Sequence, residues 1–499
     1  MPETNLSPFD FISPVDSRYY GPEKDFFRDL HPYLSEAATI HYQLCVEQAL
    51  LAELEASGVA PFGTSRVLAD ALERDPITPR EVYEEEEKIH HNIRALVNCI
   101  RKRLDPSAQG YVHLFVTSND IMDTARALAL RDVTRGVILV ELHALMKMLV
   151  DLTKEHAETA QIGRTHGRHA VPLTLGYWLA NYVDRLGQRM ELIANTAGNL
   201  RGMISGAVGA HNSFALKWPE NPGAFELRVL ARMGLRPSEG SVSTQIVQGE
   251  YVADYAHALV STFSVLANLA DDYRHLMRSE IEEVVEDAYY RVGSSTMPHK
   301  VNPKNFENVK SLWKAFMPRM TTIYMDQISE HQRDLTNSAS GRFFNELVAM
   351  FTYAVRRLTR AIGATVVSKP SLELNLSNGK GWTVAEPLYI ALALAGEQNA
   401  YEISRELVKR CRNLKGGLLG YLHTAEGSAI IDRLPPEMQR VVLDPAQYLG
   451  DSASGARKVC QLWWGGDGVC GRINPLDPLT QPLARPQDEY ALVAEGLSA

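Results

Sequence analysis

The sequence predicts an all-α protein of three helical domains, with a central bundle of long helices suited to assembly. Apolar residues recur at three- and four-residue spacing over five long stretches, at about 121–159, 173–200, 247–286, 306–332 and 343–362. Gly, Pro and Ser gather between them, at 163–172, 202–213, 218–223 and 293–303. Five such helices cannot all be buried in a monomer of modest width. Their outer stripes call for cover by other subunits.

Residues 1–17 are rich in Pro, Asp, Asn and Ser and read as an extended lead-in, ending in Asp16-Ser17-Arg18-Tyr19-Tyr20. Helical spacing then runs from about 25 to 58 through Ala38, Ile40, Leu44, Val46, Leu50 and Leu51. A second helical block covers 79–104, where Glu84 to Glu87 read as a solvated helix start favoured by the macrodipole. The apolar run Tyr-Val-His-Leu-Phe-Val after Gly110 reads as a strand or as the approach to an N-cap at Thr117-Ser118-Asn119-Asp120. From Ile121 to about Thr159 only Gly136 interrupts the pattern, which makes a rod of roughly 55–60 Å. Beyond 368 the helices shorten and the Gly/Pro breaks close up. The expected domains are 1–110, 111–367 and 368–462, with 463–499 as an irregular tail.

Composition narrows the function classes. The chain has 499 residues, with 45% hydrophobic and 22% charged, as in globular proteins. A net charge of −9 argues against a nucleic-acid surface. No apolar run is long enough to span a membrane, and residues 1–13 have neither a basic n-region nor an apolar h-region, so the expected location is the cytoplasm. Five scattered cysteines show no metal-ligand or paired spacing and read as reduced thiols.

Two helix-breaking stretches hold the chemistry. Gly293-Ser294-Ser295-Thr296-Met297-Pro298-His299-Lys300-Val301-Asn302-Pro303 offers backbone N–H groups, two hydroxyls and a lysine, the materials of an anion wrap. Gly163-Arg164-Thr165-His166-Gly167-Arg168-His169 places an imidazole, which titrates near neutrality, in a short basic loop. Thr117-Ser118 by itself reads as a helix cap. Arg333 and Arg342 are two and a half helical turns apart and read as separate contacts.

The first stretch resembles the GSS-x-MP-x-K-x-NP signature of the fumarase/aspartase superfamily, and the second resembles the R-T-H-G-Q motif of the adenylosuccinate lyases within it. Further segments are similar to that family from Ser13 to about Val459. They are Ser13-Pro14-Val15-Asp16-Ser17-Arg18-Tyr19, His91-Asn92-Ile93, Val112-His113 with Thr117-Ser118, Ser243-Thr244-Gln245, and Gln332-Arg333-Asp334-Leu335-Thr336 with Ser338 and Arg342.

The resemblance implies a fumarase/aspartase-like homotetramer that splits adenylosuccinate into AMP and fumarate by anti β-elimination, without metal or organic cofactor. It also implies roles: Ser294 as base, His166 as acid oriented by Glu307, and Lys300 with Asn302 around the developing aci-carboxylate. Arg18, Tyr19, Arg333, Ser338 and Arg342 would hold the phosphate. His91, Asn92, His113, Thr117, Ser118, Thr165, Arg168, Gln245, Ser295 and Met297 would line the substrate pocket. Each site would draw on three subunits. Two positions depart from the family: Arg168 stands where glutamine is usual, and Asn92 where aspartate is usual. A guanidinium beside His166 favours carboxylate partners and a lower imidazole pKa. Asn92 lacks an acceptor-only group that would bind a ribose hydroxyl.

Overall fold

The fold is taken from a computed structural model, which describes residues 13–20, 24–286, 296, 297 and 300–465. It is all-α apart from two short antiparallel strand pairs. The first helical segment comprises α1 (Lys24–Leu34), α2 (Glu36–Ala56), α3 (Thr64–Arg74), α4 (Pro79–Ile89) and α5 (Asn92–Arg101). The block expected from 25 to 58 is split at Ser35, whose hydroxyl accepts the Ala38 N–H at 3.1 Å and so starts α2. The block expected over 79–104 is split in the same way, because His90 turns left-handed (φ 56°) and His91 caps α5. Helix α4 begins at Pro79, so Glu84–Glu87 sit in its later turns rather than at its start. Glu85 there accepts from Asn98 at 2.8 Å and Lys102 at 3.0 Å.

Residues 111–116 are not a strand. A 3₁₀ turn (Gln109–Tyr111) is followed by backbone that turns left-handed at His113 (φ 62°) and Phe115 (φ 73°). The long rod then runs through α6 (Ser118–Val133), a π-helical turn (Thr134–Ile138) containing Gly136, and α7 (Leu139–Glu155). Thr134 Oγ1 closes that turn against Leu130 O at 2.6 Å and meets the Tyr255 hydroxyl at 2.7 Å.

The other long elements are α8 (Leu175–Gly198), α11 (Glu250–Leu276), α12 (Lys304–Phe316), α13 (Arg319–Met325) and α14 (Phe344–Gly363), with the short α9 (Asn212–Ala215) and α10 (Gly223–Arg232) between. Contacts along their length give the directions. Lys310 pairs with Asp271, Trp313 donates to Ser264 at 2.9 Å, and His257 meets Tyr324 at 3.1 Å, so α12–α13 runs antiparallel to α11. Tyr255 against Phe344 and Phe263 against Phe351 set α14 parallel to α11. Pro318 starts α13, which divides the stretch expected over 306–332. Helix α11 ends at Leu276, short of the expected 286, and gives way to strand β3 (Val284–Glu286).

The stretch 163–172, expected as a loop, is a hairpin of β1 (Ala160–Thr165) and β2 (Arg168–Thr174). His166 (φ 54°) and Gly167 (φ 71°) form its two-residue tip, both left-handed as a primed turn requires. Gly163 allows the strands to close, since a Cβ there would meet Val171 O at 2.4 Å. Strand β3 pairs with β4 (Thr365–Val367).

One apolar core is continuous from Phe26 to Ile362, crossing residue 110 without a break. A second core, from Val384 to Val442, belongs to a separate helical unit. That unit holds α16 (Ala385–Leu394), α17 (Ala400–Arg410), α18 (Gly417–Leu422), α19 (Ala425–Ile431) and α20 (Pro436–Leu443), entered through α15 (Lys369–Thr383). Helix α21 (Ser452–Trp464) returns to the first core against α7 and α8. Trp463 and Trp464, expected at the start of an irregular tail, are its last two residues. Trp463 is buried and donates to Asp184 at 2.8 Å. Residues 466–499 lie outside the described residues. Cys45, Cys99, Cys411 and Cys460 form no disulfide among the described residues.

Candidate active site

The start of α6 gathers one set of the expected residues. Asp120 is fully buried and accepts N–H groups from Thr117 (2.8 Å), Ser205 (2.8 Å) and Gly206 (3.1 Å). Burial pushes its carboxyl up to about 6, while those donors pull the other way. This clamp fixes Thr117 and Ser118, and Thr117 is indeed the cap of α6. On the next residue, Asn119 Nδ2 donates to Gln245 Oε1 at 3.4 Å. The Gln245 N–H in turn donates to Gln332 O at 3.1 Å, which brings Arg333 alongside.

Arg333 is half-buried and donates to Asn337 at 3.2 Å, while its Nε has no partner among the described residues. It is close enough to act on the half-buried Asp123, whose carboxyl desolvation pushes up and whose Oδ2 accepts the Val247 N–H at 2.9 Å. Ser338 follows in an exposed turn, its N–H on Leu335 O at 3.1 Å. Arg342 is exposed and close enough to act on the charge of Tyr83 in α4.

His113 sits just ahead of α6. Its Nδ1 lies 2.5 Å from Oε1 of Glu47, a buried carboxylate on α2 whose other oxygen has no partner among the described residues. Burial alone would lower the imidazole, but Glu47 reverses that and raises it above its usual value, with Arg94 opposing. His91 Nδ1 accepts the Arg94 N–H at 3.2 Å, and Asn92 Nδ2 lies 3.7 Å from Met122 Sδ on α6. His91, Asn92, His113, Thr117, Ser118, Gln245 and Arg333 therefore share one end of the bundle.

A second set occupies the opposite end. Thr165, His166 and Arg168 are exposed at the hairpin tip. Lys300 is exposed and Asn302 half-buried ahead of α12, with the Lys300 N–H on Met297 O at 3.0 Å; Met297 is 41% exposed. Glu307 lies in the first turn of α12, 3.7 Å from Arg274 rather than against His166. Ser294 and Ser295 lie outside the described residues. Arg18 and Tyr19 fall between the ends: Arg18 is exposed, and Tyr19 packs edge-on against Tyr353 at 5.2 Å. The rod from Ser118 to Glu155 separates the two sets by roughly 55 Å.

Sequence reasoning missed Glu47 and Glu283. Glu47 left a signal, a carboxylate set among Leu44, Val46, Leu50 and Leu51 on an apolar helix. Glu283 left none, because it sits in a run of acidic residues that reads as solvated. No group of His, Cys, Asp or Glu suited to a metal occurs among the described residues.

Two family models match the chain, one described as "Lyase" over residues 68–315 and one as "Adenylosuccinate lyase C-terminal" over 329–432. The adenylosuccinate lyase of Pyrococcus horikoshii is 31% identical over 457 residues, covering 90% of this chain and 97% of that one. The N-acetyl-S-(2-succino)cysteine lyase of Enterococcus italicus is 27% identical over 434 residues, covering 86% and 93%. The crystal structure of 3-carboxy-cis,cis-muconate lactonizing enzyme from Pseudomonas putida superposes with a TM-score of 0.75 at 24% identity, covering 89% and 97%, and shares the all-α fold. With both models in chain order and a relative of this identity matched along nearly its whole length, the chain belongs to the adenylosuccinate lyase family of the fumarase/aspartase superfamily.

Proposed function

We propose that the protein cleaves adenylosuccinate to AMP and fumarate by anti β-elimination of the C–N bond, and accepts the related succinyl-carboxamide nucleotide. The observation that carries this reading is the cluster at the start of α6. There a raised His113, the capped Thr117-Ser118 pair, Gln245 and a half-buried Arg333 converge on one end of the bundle. A hydrogen-bonding cluster of this kind, with the Arg333 Nε open among the described residues, suits a phosphorylated anion.

The difficult step is removal of a weakly acidic proton beside a carboxylate, which leaves a dianionic aci-carboxylate. Lys300, the Asn302 amide and loop N–H groups would stabilise that charge, with Ser294 as the base. His166, oriented by Glu307, would protonate the departing nitrogen. Assistance of this type contributes about 10²–10⁴-fold in rate.

Residues at opposite ends of a rod of roughly 55 Å cannot act together in one chain. Their separation supports a homotetramer in which each site is completed by other subunits. No described helix is long and apolar enough to cross a membrane, and we place the enzyme in the cytoplasm.

A second reading, a fumarate-releasing lyase for a substrate without phosphate, draws on Arg168 and Asn92 and on the similarity to the succino-cysteine lyase. It would leave the Arg333 Nε without an acceptor. The deciding experiment supplies adenylosuccinate, argininosuccinate and N-acetyl-S-(2-succino)cysteine separately and follows fumarate release. Turnover of the first alone is expected. Turnover of either other compound without the first would overturn the nucleotide assignment, and no turnover of any would mark a catalytically silent relative.

A further inference from the structure

Glu283 has no exposed surface, yet both its oxygens are fully engaged. Oε2 accepts from Gln161 Nε2 at 2.7 Å and Arg164 Nη1 at 3.1 Å, and Oε1 accepts from Arg164 Nη2 at 2.6 Å and Asn375 Nδ2 at 2.9 Å. A carboxylate stays charged in such a place only when it is paired and hydrogen-bonded throughout. Four donors leave it nothing to offer a substrate. Its effect must be on the segments it joins.

Those segments are three. Gln161 and Arg164 belong to β1, and Arg164 is two residues from His166 at the tip. Glu283 itself immediately precedes β3, the strand that leads towards Ser294 and Lys300. Asn375 belongs to α15, and its Nδ2 also donates to Ile281 O at 2.7 Å. The main chain adds a fourth tie, with the Ser368 N–H on Glu283 O at 2.9 Å ahead of α15.

Helix α15 touches the hairpin a second time. A Cβ on Gly379 would lie 3.3 Å from Ile162 and 3.4 Å from the His169 ring. Its other side meets α18 at Gly381 and Gly417, where a Cβ on Gly417 would be 2.8 Å from Gly381 O. The C-terminal helical unit thus bears on the hairpin through α15, with Glu283 at the centre of the joint.

We propose that Glu283 is a positioning residue: through Arg164 it holds the His166 hairpin, the root of the signature loop and the C-terminal unit in one fixed relation. Elimination needs both the acid and the base loop placed to within a fraction of an ångström, and rigid support behind such groups is what delivers that. The bidentate guanidinium fork suits the task, because it fixes orientation as well as distance.

The test uses the full chain with Glu283→Gln, which keeps the shape but breaks the fork, and Asn375→Ala, which removes only the tie to α15. Backbone amide exchange is read first. The expected result for Glu283→Gln is at least tenfold faster exchange over 160–174 and at 284–286, with α7 and α8 unchanged. The kinetic arm rests on the proposed lyase activity: kcat falls tenfold or more with KM within about threefold, and the alkaline limb of the kcat–pH profile moves as His166 is displaced. If Glu283→Gln loses protection in α7 and α8 as well, Asn375→Ala decides, with faster hairpin exchange and a threefold or greater loss of kcat expected. Wild-type exchange in the hairpin, or a loss expressed in KM alone, overturns the proposal. If the wild-type protein releases no fumarate from adenylosuccinate, the activity assignment fails while the exchange arm still decides the role of Glu283.

Discussion

His113 Nδ1 and Glu47 Oε1 meet at 2.5 Å across two segments far apart in sequence, with Glu47 buried beneath. The imidazole is raised in the folded state, so it binds a proton more tightly there than in the unfolded chain. Its contribution to stability is therefore complete below the unfolded value near 6.5 and fades as pH rises through the folded value. Glu47→Gln should cost about 1–2 kcal/mol at pH 6 and much less at pH 9, measured as urea midpoints across that range. An equal loss at both pH values would show that the pair is not held by charge.

Exposure of the hairpin tip makes His166 a clean target. His166→Ala should leave thermal unfolding within a few degrees of wild type and lower kcat by about 10²–10⁴-fold. Near wild-type turnover would remove it from the mechanism.

Arg333 is expected to act on binding more than on chemistry. Arg333→Gln should raise KM for adenylosuccinate by about 10–100-fold with a smaller change in kcat, consistent with a lost charge-assisted contact made equally before and during reaction. A fall in kcat alone would place it elsewhere.

The two residue sets at opposite ends can be tested by mixing. His113→Ala and His166→Ala, each inactive alone, should regain fumarate release when unfolded and refolded together, since some sites would then contain neither change. Persistent inactivity in the mixed assemblies would argue that each chain completes its own site.

Gly417 has φ 58° and lies against Gly381 O. Gly417→Ala should destabilise the C-terminal unit by at least about 1 kcal/mol, because the substitution meets both a left-handed backbone and a close approach. Thermal unfolding of the purified protein measures the effect, and an unchanged midpoint would show that α15 and α18 separate at no cost.

The long helices were legible because each buries a stripe at the helical period, and the family was legible because its motifs recur in order. Breaks inside helices were harder. Ser35 and Pro318 divide stretches whose apolar spacing continues across them, so periodicity alone does not register the break. The hairpin escaped because its turn depends on a histidine in left-handed backbone, a conformation more often supplied by Gly or Asn. The partition of the site was expected only through the resemblance, and which residues fall at which end was not legible. Motifs carry identity but not place, and only the directions of α6–α7, α11 and α12 put Gln245 beside Asn119 and Lys300 at the far end.

The π turn at Thr134–Ile138 has a consequence for how one rod serves two sets of neighbours. A π turn accommodates an extra residue, and one residue is about 100° of helical rotation. The apolar pattern of the sequence therefore slips by one residue between α6 and α7, while each helix keeps its own face on its neighbours. The first half faces α1 and α2, and the second faces α8, α14 and α21. Deleting Gly136 would remove the extra residue and let the two halves join as plain α-helix, with both faces still turned to those neighbours.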